Sequence, residues 1–258
     1  ANGGAVFLIL YLGIVFTVGL SVMLAEFAIG RTGEKNPVGA FRHLKGGAWT
    51  GVGFMGVFAG FVILSFYSVV GGWTIAYAVK SATGLLATGD VKALGGAFGA
   101  FIADPLEPLF YHALFMALTV AVVARGIDSG IERACRVLMP LLFLLLVALC
   151  IRSVTLPGAG AGIAFFLAPD FSKISAEMVV AALGQAFFSL SLGMGAMITY
   201  GSYISRQENL PKAALWVTSL DSVIAIMAGF LILPAVFAFG FDPGAGPGLT
   251  FITLPAVF

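Results

Sequence analysis

The sequence predicts an all-α membrane protein, a polytopic helical bundle of six apolar spans in which one helix is discontinuous. Three observations carry that expectation. Of the 258 residues 60% are hydrophobic and 10% charged, with a mean hydropathy of +1.07. An ordinary soluble domain is about a quarter charged, so this composition cannot clothe a water-facing surface. The apolar residues gather into six segments, and a bilayer-crossing helix takes about 20 mostly apolar residues. Small polar residues interrupt the fifth segment near its middle.

In chain order the segments run from 5 to 29, 52 to 79, 109 to 123, 136 to 151, 178 to 204 and 213 to 241, within a single transmembrane domain covering 1–258. Polar, Gly-rich or charged connections separate them. The first is a span and no cleavable signal peptide: no basic stretch precedes it, it is too long, and Arg31 follows it. Arg31, Lys35, Arg42 and Lys45 fall in the first connection, Arg125, Arg133 and Arg136 at the third, and Arg206 and Lys212 in the fifth. The other side carries only Lys80, Lys92, Arg152 and Lys173. The positive-inside bias therefore assigns 31–51, 124–135 and 205–212 to the cytoplasm of a plasma (inner) membrane protein and starts the chain outside. With no Met before Ala1, and with Gly244–Phe258 breaking off in a loop that enters a short helix, the chain reads as a piece truncated at both ends, one helix missing ahead of it.

Several function classes fall away. Cys135 and Cys150 share one apolar stretch without metal-ligand spacing and read as small packing residues. His43, in a basic loop, and His112, near a helix start, have no second His or carboxylate pair at metal spacing. A net charge of +1 without a basic, aromatic-laced stripe argues against nucleic acid. An enzyme is not expected, since no nucleophile elbow, metal cluster or nucleophile–base pair stands at a suggestive spacing.

The fifth span reads GQAFFSLSLGMGAMITYGS from Gly184 to Ser202, with Ser189, Ser191, Gly193 and Gly195 clustered at mid-depth. Gly weakens a helix by about 1 kcal/mol relative to Ala, and Ser can hydrogen-bond backbone groups that leave the ladder. Either the small residues permit close helix packing, or the helix unwinds here. Irregular backbone survives at membrane depth only where it is buried in protein or lines a cavity, so unwinding predicts a polar site.

Two carboxylates lie in spans, Asp221 in the sixth and Glu26 near the end of the first. Intramembrane charges are costly and tend to mark an ion pathway. Asp221 either gives a carboxylate oxygen to a cation or is protonated and bonded to a hydroxyl such as that of Thr218. Glu26 reads as structural, accepting hydrogen bonds from N–H groups freed by the broken helix. Tyr67, within FYSVVGGWT, is either a packing aromatic or a phenol that meets a ligand.

The stretches NGGA (2–5), EFAIGR (26–31), GIDSGIE (126–132), Gly184 to Tyr203 and FITLP (251–255) resemble the neurotransmitter:sodium symporters, in particular their bacterial amino-acid-transporting branch, along the whole chain. The resemblance implies helices 2 to 7 of an inverted-repeat fold with a midplane site at a broken helix, an arrangement for which a member of this family is a standard example. It implies sodium-coupled symport of a small, hydrophobic or aromatic amino acid by alternating access in the full-length protein, within a lipid bilayer; an amino-acid-sensing receptor on the same fold is the alternative. By the same resemblance Tyr67 contacts the substrate carboxylate, Phe188 covers the substrate, and Ile63, Ser191 and Met194 line the side-chain pocket. Ser189 ligates a sodium ion and borders the substrate, and Asp221 stands where the family usually has Asn for that ion. Of the family's chloride ligands Tyr11, Gln185 and Ser189 are present, while Ala225 takes the place of the last. The expectation is Na+ dependence without a chloride requirement, the Asp221 carboxylate replacing the anion's charge.

Overall fold

The computed structural model describes residues 4–86, 88, 90–241, 246 and 249–257. The first residues of the NGGA stretch, and most of the Gly-rich approach to FITLP, lie outside the described residues. Among the described residues the chain is helical throughout, with no strand.

The helices are α1 (Ala5–Gly33), α2 (Pro37–Leu44), α3 (Trp49–Ala82), α4 (Val91–Ala103), α5 (Glu107–Val123), α6 (Arg133–Val154), α7 (Ala159–Leu167), α8 (Ala176–Ser189), α9 (Ala196–Gly201), α10 (Leu210–Ala238) and α11 (Leu254–Val257). π-Helical turns occur within α1 at Val15–Gly19, ahead of α6 at Ile127–Glu132 and ahead of α11 at Leu249–Thr253. Among the described residues four helices are long and apolar enough to cross a membrane singly: α1, α3, α10 and the stretch Ser129–Val154. Lys92–Ala103 and Glu107–Val123 qualify together, bent by 75°.

The helices extend beyond the apolar stretches because charged residues continue the ladder where it leaves the apolar run, as Arg31 does in α1 and Arg152 in α6. Two expectations need correction. His43 lies on a helix, α2, and not in a loop: Asn36 Oδ1 accepts the Gly39 N–H at 2.8 Å and Pro37 takes the first turn, where its missing N–H costs nothing. The last span runs from 210 to 238 and not from 213 to 241, because Asn209 Oδ1 accepts the Lys212 N–H at 3.0 Å and Pro211 opens the first turn, while Gly240, at φ +69°, follows its end. The stretches read as connections also hold α4 and α7, both short and Gly-containing.

The chain divides into two compact units, residues 2–64 with 167–226, and residues 65–166 with 227–258. In the first, Tyr11, Val15, Met23 and Phe27 are buried on α1 at spacings of four and eight, one helical stripe. They pack on Ala186, Leu190, Leu192, Leu210 and Ala214. Farther along, two glycines bring the backbones of α1 and α9 together. A Cβ on Gly30 would collide with the Ile198 carbonyl, and one on Gly201 would stand 2.7 Å from the Phe27 carbonyl oxygen. Such close approach is how membrane helices gain packing energy when lipid supplies no hydrophobic drive.

The second unit has its own core of Ala76, Tyr77, Leu86, Leu94, Phe101 and Phe251, ringed by Trp73 and Phe98. The Phe98 and Phe251 rings stack at 5.5 Å. Asp104 Oδ1 fixes the bend between α4 and α5 by accepting the N–H groups of Leu106 at 2.7 Å and Glu107 at 2.9 Å. Lys80 Nζ lies 3.0 Å from Glu107 Oε1 and 4.5 Å from the centre of the Phe101 ring. Cys150 Sγ donates to the Met227 carbonyl at 3.0 Å, and Ser153 Oγ to that of Leu231 at 2.6 Å, so both polar groups find acceptors between packed helices.

Candidate functional site

The apolar segment 178–204 folds as two helices, α8 and α9, separated by non-helical backbone at 190–195. The interruption is built from alternating left-handed residues: Ser191 at φ +54°, Gly193 at +78° and Gly195 at +76°. Gly adopts this conformation freely, whereas an L-residue such as Ser191 does so at a cost of about 1–2 kcal/mol. The end of α8 is closed by backbone bonds, the Ser191 N–H to the Phe188 carbonyl at 3.1 Å and the Leu192 N–H to that of Phe187 at 2.9 Å.

Freed backbone groups need partners where water is scarce. Glu26, 7% exposed on α1, accepts the Gly193 N–H on Oε1 at 2.7 Å. A cavity of about 100 Å³ adjoins it, lined in part by Gly53 and Gly56 of α3 together with Gly193 and Gly195. Glycine at 56 lets α3 come up to the break: a Cβ there would stand 3.4 Å from the Gly193 carbonyl oxygen.

At the end of α8, Ser189 Oγ donates to Asp221 on α10, 2.8 Å from Oδ1 and 2.9 Å from Oδ2. From α1, the buried Tyr11 hydroxyl donates to Asp221 Oδ2 at 3.1 Å. Three helices thus deliver one carboxylate and two hydroxyls to a single point. Thr218 is not the hydroxyl on Asp221; its Oγ1 is turned to Met23 Sδ at 3.8 Å. The contribution of Tyr11 escaped the residue-level reading, although an isolated phenol in an apolar segment signals a need for a polar partner. Among the described residues Asp221 has no ion-pair partner. Carboxylate and hydroxyl oxygens are the ligand types that suit hard cations.

Gln185 lies one turn before Ser189 on α8 and is exposed; Ala225, one turn beyond Asp221, packs on the Tyr11 and Ala186 cluster. Phe188 is exposed on the last turn of α8, and Ser191 and Met194 are half-buried in the break. The Met194 carbonyl oxygen borders Gly60, 3.6 Å from where a Cβ would stand. Ile63 is half-buried on α3 in the same unit. Tyr67 belongs to the second unit, where it lines an apolar groove of about 590 Å³ with Phe115, Leu118, Thr119 and Leu138.

Comparison with known proteins gives the architecture a family. The sodium:neurotransmitter symporter family matches over residues 1–93 and 106–256. The uncharacterised sodium-dependent transporter YhdH of Bacillus subtilis is 43% identical over 258 residues, which is all of this chain and 57% of the relative. An uncharacterised sodium-dependent transporter of Haemophilus influenzae is 41% identical over 268 aligned residues, covering all of this chain and 59% of the relative. The crystal structure of MhsT in complex with L-phenylalanine superposes with a TM-score of 0.94 at 51% identity, covering 99% of this chain and 58% of MhsT. The chain therefore spans 57–59% of the length of these curated relatives. It belongs to the sodium:neurotransmitter symporter family.

Proposed function

We propose that the full-length protein carrying this chain is a sodium-coupled symporter of a small hydrophobic or aromatic amino acid, working by alternating access across the plasma membrane in a six-span section whose connections at 31–51, 124–135 and 205–212 are cytoplasmic. The observation that carries the reading is the convergence of Ser189, Asp221 and Tyr11 beside the break at 190–195. Ser189 and Asp221 supply oxygen ligands to sodium, and the negative charge of Asp221 stands in for a bound chloride, so transport needs no chloride. Phe188, Ser189, Ser191 and Met194 cluster at or next to the break and border the substrate. The family resemblance assigns Tyr67 to the substrate carboxylate and Ile63 to the side-chain pocket. L-Phenylalanine bound by MhsT supports the aromatic side of that reading.

Sodium and substrate then bind as a coupled set. A cation near both Asp221 and the substrate carboxylate is attracted by each, and whatever one ligand adds to the affinity of the other is returned by reciprocity. The test is uptake of a panel of labelled amino acids by the full-length protein in proteoliposomes, with an inward sodium gradient or with potassium in its place. Sodium-driven accumulation of hydrophobic amino acids is the expected result. Sodium-dependent binding without accumulation would reject symport.

A further inference from the structure

Helix α2 sits in the first unit between the end of α1 at Gly33 and the start of α3 at Trp49. Its inner face is fixed. Pro37 and Ala40 are buried, and Ala40 is so close to α1 that a Cβ on Gly33 would stand 2.7 Å from its own. The ends of α2 are open: Lys35 just before it, Arg42, His43 and Leu44 in its last turn and Lys45 just after it are all exposed. Beyond it Trp49 stacks on Phe41, ring centres 6.4 Å apart at an interplanar angle of 17°, with Lys45 Nζ 5.0 Å from its ring centre. Leu44 is 43% and Trp49 47% exposed, large apolar groups left uncovered among cations.

The charges in this stretch are unequally used. Arg31 donates to the Glu208 carbonyl at 2.8 Å, and Glu34 pairs with Arg206 at 2.8 Å. Lys35, Arg42 and Lys45 have no ion-pair partner among the described residues; of the acids in the neighbourhood, Glu34 is held by Arg206, and Glu208, whose carbonyl accepts from Arg31, pairs with none of the three. Because both chain neighbours of this stretch are helices long and apolar enough to span, it is held where a bilayer's hydrocarbon gives way to headgroups. A tryptophan body suits that layer, and lysine stems lie along apolar surface while their ammonium groups reach out.

We propose that this stretch binds anionic phospholipid headgroups: Lys35, Arg42 and Lys45 hold the lipid phosphate and its surface neighbours, while Trp49 and Leu44 sit at the glycerol level. Charge complementarity singles out an acidic lipid, since a zwitterionic headgroup leaves three cations unmatched. The proposal does not depend on what the protein transports.

The test uses the full-length protein in detergent, titrated with phosphatidylglycerol or with phosphatidylcholine of the same acyl chains, bound lipids being counted by native mass spectrometry. Wild type is expected to prefer phosphatidylglycerol. K35Q/R42Q/K45Q should weaken that lipid roughly a hundredfold, the scale set by three lost surface cations, and leave phosphatidylcholine unchanged. K35R/R42K/K45R should keep the preference. An unchanged preference in the glutamine variant overturns the proposal. So does displacement of phosphatidylglycerol by millimolar glycerol phosphate, which would mark a site for soluble anions. If the glutamine variant does not fold, wild type in potassium chloride decides: a preference that does not fall between about 0.05 and about 0.5 M salt is not electrostatic and overturns the proposal.

Discussion

Asp221→Asn tests the proposed sodium site with the least disturbance, because the carboxamide keeps the volume of the carboxylate and one acceptor for the Ser189 and Tyr11 hydroxyls. What it removes is charge. A sodium ion ligated, as proposed, by both Ser189 Oγ and an Asp221 oxygen, which stand 2.8 Å apart, sits within about 4 Å of the carboxylate charge. Two unit charges at that separation attract by about 4 kcal/mol at an effective dielectric constant near 20. The amide dipole and the relieved desolvation of the carboxylate offset about half, leaving about 2 kcal/mol, or roughly thirtyfold in sodium affinity. The assay is sodium-dependent uptake into proteoliposomes at clamped membrane potential, with thermal unfolding in sodium-free buffer as the control on folding. The expected outcome is a sodium midpoint raised by tens of fold with little change in the sodium-free unfolding temperature. A midpoint within about threefold of wild type, less than about 0.7 kcal/mol, refutes the assignment. If the carboxylate also replaces an anion, chloride at fixed sodium should stimulate Asp221→Ser and not wild type.

Other outcomes follow from the geometry. Glu26→Ala leaves the Gly193 N–H without its acceptor and should cost about 1–3 kcal/mol, read as a lower unfolding temperature, while Glu26→Gln, which keeps an acceptor oxygen, should lose less. Gly30→Ala drives a methyl into the Ile198 carbonyl and should destabilise by about 1–3 kcal/mol, whereas Gly13→Ala, on the same helix with open space around it, should be nearly neutral. Asp170, in the connection between α7 and α8, accepts from Ser172 and pairs with Lys173, and these hold its carboxyl below the ordinary carboxylate range. Its folded pKa being the lower one, the turn is favoured above the unfolded pKa and loses that advantage as pH falls through the folded one; a carboxyl carbon titration that finds Asp170 at or above about 3.9 contradicts this.

How far the residues themselves announced the structure varied with the physics involved. The long spans were legible because a bilayer demands runs of apolar residues, and α1 and α3 could hardly be anything else. The interruption in the fifth span was legible as two glycines and two serines at mid-depth, but its conformation was not: which residues turn left-handed depends on where Glu26 stands, 167 residues earlier. The Tyr11–Asp221 bond joins positions 210 residues apart, beyond the reach of any local pattern. Helix ends moved because Asn209 and Asn36 cap helices through single side-chain bonds that an apolar tally does not weigh. The sharp bend between α4 and α5 rests on one carboxylate oxygen of Asp104.

Where α1 crosses α9, backbone lies directly on backbone, Gly30 against Ile198 and Gly201 against Phe27. Side chains at an interface act as bearings: they change rotamer and let two rods slide or roll. At Gly30 and Gly201 there is none to turn. A rotation of α9 has no compliant layer to absorb it at these two points, so α1 is the other arm of the lever, and the tyrosine it presents to Asp221 lies on that arm, about five turns from the crossing.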